Sequence, residues 1–128
     1  MRRAELRRYT RCMAVLAYLV GDLFFVAKIR AAAEDLGVSV ESAADPEALV
    51  RAARAAKLVI VDLRRPDALR ALERLAADPV TAAVESVGFI DHENVAAMQA
   101  AAERGCGTVL SKRKLASDLA TFVAACRD

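Results

Sequence analysis

The chain predicts an α/β fold, a three-layer sandwich in which five helices cover a five-stranded parallel sheet. Three observations carry that expectation. Short unbroken apolar runs, AVLAYLV at 14–20 and LVIVDL at 58–63, have the pattern of parallel strands buried on both faces. Between such runs, apolar residues recur at three- and four-residue steps, the period of a helix with one buried face. The two patterns alternate along the chain, as right-handed strand–helix–strand crossovers require.

Taken in order, the first strand is 14–20, and Gly21-Asp22 breaks it. Asp22 stands where an N-cap belongs, and Phe25, Val26, Ile29, Ala33 and Leu36 stripe the first helix until Gly37, placed to end it. VSVES (38–42) is a short second strand. Asp45-Pro46 pairs an N-cap with proline at the first helical position, and Leu49, Val50 and Ala53 form the buried stripe that follows. The third strand, 58–63, leads to a helix over 66–77 with Leu69, Leu72 and Leu75 on one face, stopped by Asp78-Pro79. Residues 84–90 contain the fourth strand. Asp91 can cap the fourth helix, with Val95, Met98 and Ala102 inward until Gly105. Residues 108–110 are a fifth strand, and Leu115, Leu119, Phe122, Val123 and Cys126 stripe the last helix.

The 128 residues, 56% of them apolar, suit one domain with a single packed core. A net charge of +2 conceals an asymmetry: residues 1–12 carry five arginines against Glu5, so this arm is +4 and the remainder −2. The arm is expected to be a solvated tail ahead of a domain over 13–128, with Met13 as an alternative start. Nucleic acid would be bound only through it. Cys12, Cys106 and Cys126 have neither disulfide nor zinc spacing, which fits reduced thiols in a cytoplasm. CMAVLAYLVGDLFFVAKI is interrupted by Asp22 and Lys28, so it is neither a signal peptide nor a membrane span.

In open parallel sheets the functional crevice lies beyond the carboxyl ends of the strands. Asp22, Asp62, Asp91 and Ser111-Lys112 all follow strand ends, so three carboxylates and an ammonium converge on one rim.

At this point the sequence resembles the receiver domains of response regulators. The resemblance follows the element order over 14–126 and is most specific in DLRRP (62–66), LAADPVT (75–81) and ERGCGTVLSK (103–112). It implies a flavodoxin-like fold with strand order 2-1-3-4-5 and a place in two-component signalling. In that family the strand-three aspartate accepts a phosphoryl group beside a magnesium ion held by two acids after strand one. A serine or threonine ending strand four and a lysine after strand five contact the phosphoryl oxygens.

Carried over residue by residue, the resemblance puts Asp62 at the acceptor position and Lys112 at the phosphate-contacting lysine. Asp22 keeps the second acid and Gly21 replaces the first. Ile90 stands where the hydroxyl belongs, Val109 where the switching aromatic does, and Arg113 replaces the proline after the lysine. Magnesium keeps much of its water and relies on very few carboxylates, so Asp22 and Asp62 would hold it weakly. Ile90 offers the transferring oxygens no donor, and losing one such donor costs about 2.7 to 4 kcal/mol in related transition states.

The expectation is a pseudo-receiver with no catalytic residues and no cofactor, acting by protein interaction. The partner would be another signalling protein or a second copy, met through the fourth helix, fifth strand and fifth helix, including Met98 and Val109. The alternatives are a working receiver phosphorylated on Asp62 and a binder of small anions at the same rim, and other roles for single residues stand beside these. Asp62 can serve as a turn acceptor or pair with Lys112, and Asp22 can be only a cap. Arg64, Arg65 and Lys112 could clamp a small anion. His92 fits a surface or cap residue, and Cys106 a packed thiol. Phe24 and Phe25 fit the core, but if only one points inward the other belongs to a contact surface.

Overall fold

The computed structural model describes residues 15–127, so the arm at 1–12, Cys12 and Met13 lie outside the described residues. Strands β1 (Leu16–Leu19), β2 (Val40–Ser42), β3 (Leu58–Asp62), β4 (Glu85–Ile90) and β5 (Thr108–Ser111) alternate with five helices. These are α1 (Leu23–Leu36), α2 (Pro46–Ala53), α3 (Ala68–Ala77), α4 (Val95–Glu103) and α5 (Lys112–Ala125). All strand pairs are parallel, in the order β2-β1-β3-β4-β5, the flavodoxin-like arrangement.

Successive strand side chains point to opposite faces, so β1 feeds two cores. Ala17 and Leu19 join Leu49, Val59, Val61 and Leu72 on the side of α2 and α3. Leu16 and Tyr18 join Phe25, Ile29, Ile60, Phe89, Leu115 and Leu119 on the side of α1 and α5. There the rings of Phe25 and Phe89 stack with centroids 4.4 Å apart.

The expected caps at three helix ends are present. Asp22 Oδ1 accepts from the N–H groups of Phe24 and Phe25 at 3.0 and 3.1 Å. Asp45 Oδ1 accepts from Ala48 N–H at 2.8 Å, with Pro46 opening α2. Gly37 takes the left-handed conformation (φ 69°) that closes α1, at no steric cost because it has no Cβ.

Two helix starts differ from expectation. Helix α3 begins at Ala68 rather than residue 66, because the chain first makes a turn over 65–67. Its inner stripe is then Ala68, Ala71, Leu72 and Leu75, which turns Leu69 to the exposed flank. Helix α4 is capped by Asn94, whose side chain accepts from Ala97 N–H at 3.1 Å, and not by Asp91. Asp91 instead accepts from Asn94 N–H through its main-chain oxygen at 3.0 Å, in a turn ahead of the helix. With the start moved by three residues, Val95 and Ala102 are exposed and Ala101 is the buried position. Smaller shifts follow from hydrogen bonding: β2 starts at Val40, β3 ends at Asp62, and a 3₁₀ turn, Thr81–Ala83, precedes β4.

Candidate functional site

The parallel register brings the strand ends to one rim, with Asp62 opposite Phe89 on β4 and Ile90 opposite Ser111 on β5. Asp62 closes β3 and is 3% exposed. A carboxylate this deep needs donors, and the adjoining loops supply them. Its Oδ1 accepts from Arg64 N–H at 3.0 Å and its Oδ2 from Gly21 N–H at 3.2 Å. Asp62 thus ties the end of β1 to the turn after β3.

Asp22 has its Oδ1 engaged in capping α1, and its Oδ2 receives the ammonium of Lys112. The hydrogen bond from Lys112, followed by that from Phe25 N–H, holds the Asp22 carboxyl below its ordinary range. Lys112 therefore pairs with Asp22, not with Asp62. The reason is local: Ser111 caps α5 by accepting from Lys114 N–H at 3.1 Å, so Lys112 is the first helical residue beside the start of α1.

Gly21 leaves open the space of a first acid. A Cβ built there would lie 3.8 Å from Arg65 Cγ and 3.9 Å from Asp62 Oδ2. The guanidinium of Arg65 grips Asp67, Nε to Oδ1 at 2.9 Å and Nη2 to Oδ2 at 3.0 Å, and donates to the main-chain oxygen of Ala44 at 3.0 Å. That grip lowers the Asp67 carboxyl, against the opposing effect of burial. Asp67, two residues beyond Arg65 across a proline, is the partner that sequence reasoning missed. The RRPD spacing was its available signal.

Two cavities open on the rim. One, of about 400 Å³, is lined by Gly21, Asp22, Asp62, Arg64, Arg65 and Pro66. The other, of about 360 Å³, lies over the start of α5 and involves Lys28, Asp91, His92 and Lys112. Asp22 lines the first and Lys112 the second, so their ion pair crosses the wall between them. Of the residues of the alternative anion clamp, Arg64 and Arg65 line the first cavity, where Arg65 is committed to Asp67, and Lys112 lines the second.

Ile90 is buried at the end of β4, Val109 is half-buried on β5, and Arg113 is exposed in the first turn of α5. His92 is exposed, with Glu93 Oε1 3.6 Å away. Cys106 is buried, its Sγ 3.2 Å from the main-chain oxygen of Thr108, and burial pushes its thiol pKa up. Among the described residues no group of three or more histidine, cysteine, aspartate or glutamate side chains could hold a metal ion.

No family model matches the chain, and no curated protein sequence matches it. Solved structures do. A two-component response regulator from Clostridium difficile superposes with a TM-score of 0.71 at 17% identity, over 89% of this chain and 95% of that one. The receiver domain of the sensor histidine kinase PA1611 from Pseudomonas aeruginosa, with a magnesium ion coordinated in its active-site cleft, gives 0.70 at 20% identity, over 88% and 96%. NtrX from Brucella abortus gives 0.69 at 19% identity over 88% of this chain, which spans only 27% of the length of NtrX. These likenesses show the fold, which is that of receiver domains.

Proposed function

We propose that this chain is a receiver-like module of two-component-type signalling that works in the cytoplasm through protein contact, and that Asp62 is not a normal phosphoryl acceptor. One observation carries the reading: all four carboxylate oxygens of Asp22 and Asp62 already have donors inside the chain. A magnesium ion would have to compete with the Lys112 ammonium for Asp22 and would find no first acid at Gly21. The donor set therefore does not suit a hard cation that gains most from free carboxylate oxygens. Ile90 gives a transferring phosphoryl group apolar bulk where the family has a hydroxyl donor. The aromatic that normally follows that hydroxyl inward is replaced by Val109, so the moving parts of the switch are missing as well.

Binding to another signalling protein, or to a second copy, is what remains for such a module. The face formed by α4, β5 and α5 carries the exposed Val95 and the half-buried Met98 and Val109. Phe24 adds a contact surface at the start of α1, since Phe25 alone of the two rings points inward. Among the described residues no helix is long and apolar enough to cross a membrane.

The test is incubation with acetyl phosphate and Mg²⁺ followed by intact-mass measurement. No gain of a phosphoryl group is expected. A gain that disappears in Asp62→Ala would make the chain a working receiver and end this reading.

A further inference from the structure

The cavity over the start of α5 has a charge pattern that the acceptor site does not explain. Lys28 reaches it from α1, Lys112 and Arg113 from α5, and His92 from the loop ahead of α4, while Asp91 is the one carboxylate lining it. The cations differ in their commitments. Lys112 is held by Asp22, and Lys114 just beyond is paired with Asp118. Lys28 and Arg113 have no carboxylate partner among the described residues. Two cations without a carboxylate partner, on neighbouring helices, thus line a common concavity, which Ser111 and His92 also line.

From this juxtaposition we infer that the cavity binds a small phosphate-bearing molecule, with a diphosphate bridging Lys28 and Arg113. The chemistry fits the residues. A guanidinium matches the oxygens of a phosphate in a two-point grip, and a lysine ammonium supplies a mobile point charge to a second phosphate. Lys112 stays with Asp22, and the first turn of α5, which lines the cavity through Lys112 and Arg113, carries the positive end of that helix. Asp91, the one carboxylate in the lining, disfavours an anion beside itself. A volume of about 360 Å³ is enough for a diphosphate with a modest appendage. The site is separate from the Asp62 carboxylate and does not rest on whether Asp62 accepts a phosphoryl group.

The test uses the full chain at low salt without divalent metal. Pyrophosphate, ADP and inorganic phosphate are titrated by calorimetry and by ¹H–¹⁵N correlation spectra. Saturable binding is expected, tighter for pyrophosphate and ADP than for phosphate, with amide shifts concentrated at Lys28, Ser111, Lys112 and Arg113. Lys28→Ala and Arg113→Ala should each weaken it roughly tenfold, the loss of one charge-assisted hydrogen bond. Both side chains are solvent-facing, and the spectra report directly whether each variant is folded. Three results would overturn the proposal: no saturable binding of any of the three; binding retained by Lys28→Ala/Arg113→Ala, which points to the arginines of 1–12; and binding lost in Arg64→Ala instead, which moves the anion to the other cavity.

Discussion

Lys112 gives its ammonium to Asp22 and leaves Asp62 to the main-chain N–H groups of Gly21 and Arg64. On the proposed reading, the lysine at the phosphate-contact position is thereby tied to the carboxylate at the metal position. The two sites deplete one another.

If Asp62 lacks phosphoryl acceptance for the reasons proposed, an acid at 21 and a hydroxyl at 90 should supply it. A Cβ at Gly21 meets only ordinary van der Waals contacts, 3.8 Å to Arg65 Cγ and 3.9 Å to Asp62 Oδ2, so the main chain there admits the first atom of Gly21→Asp. Ile90→Thr supplies the absent hydroxyl, at a cost of about 1–3 kcal/mol in stability if it finds no partner. The double variant should bind Mg²⁺ measurably by calorimetry and gain a phosphoryl mass from acetyl phosphate, with the Thr hydroxyl contributing about 10²–10³ in rate. A double variant that gains neither metal binding nor a phosphoryl mass would show that positions 21 and 90 do not control the proposed loss of phosphoryl acceptance at Asp62.

Acid should unfold the protein through its paired aspartates. Asp22, Asp67 and Asp78 are each held below the ordinary aspartate value, first by hydrogen bonds from Lys112, Arg65 and Arg54 respectively. A carboxyl with a lowered folded pKa binds its proton more readily in the unfolded chain. Its contribution is therefore complete above the unfolded value, about 3.9, and lost as pH falls through the folded value. Thermal midpoints should change little from these groups above about pH 5 and drop below about pH 4. Asp67→Asn should lower the midpoint at neutral pH and make the acid limb shallower. An unchanged acid limb would remove Asp67 from the account.

The sheet and most of the rim were legible because burial writes itself plainly in sequence. LVIVDL leaves little choice but a central strand, and Asp45-Pro46 and Gly37 mark helix ends by local stereochemistry. The start of α4 was not legible, because DHEN holds Asp91 and Asn94, both able to cap. The choice fell to Asn94, as the turn over 91–94 delays the helix. The hydrogen bond from Gly21 to Asp62 joins residues 41 apart through a main-chain N–H, which no side-chain pattern announces. Sequence brought Asp22, Asp62 and Lys112 to one rim but not to a choice of partner. That choice turns on distances of a few ångströms set by where α5 begins.

The two described thiols should be sluggish. Burial raises the pKa of Cys106 and of Cys126, so the reactive thiolate is scarce at neutral pH and each sulfur is shielded. Iodoacetamide labelling resolved by peptide mapping should modify both at least roughly tenfold more slowly in native protein than in guanidinium chloride. Rapid native labelling of Cys106 would show that the loop around it opens and would contradict the packed-thiol assignment.

Phe24 and Phe25 are adjacent in sequence and opposite in circumstance, 86% and 1% exposed. Phe25 fills the core between α1 and the sheet and stacks on Phe89, so Phe25→Ala removes both buried area and a ring contact. Its cost should be about 3–5 kcal/mol by denaturant unfolding. Phe24→Ser leaves the core intact and should stay within about 0.5 kcal/mol of the parent. Its effect should appear elsewhere if this exposed aromatic, beside the exposed Leu23, belongs to the proposed contact surface. Light scattering across concentrations, together with capture of signalling proteins from a lysate, should show an association in the parent that Phe24→Ser weakens at least fivefold while its melting curve is unchanged. An association indifferent to Phe24→Ser, but broken by substitutions at Val95 or Met98, would move the contact wholly to the α4–β5–α5 face.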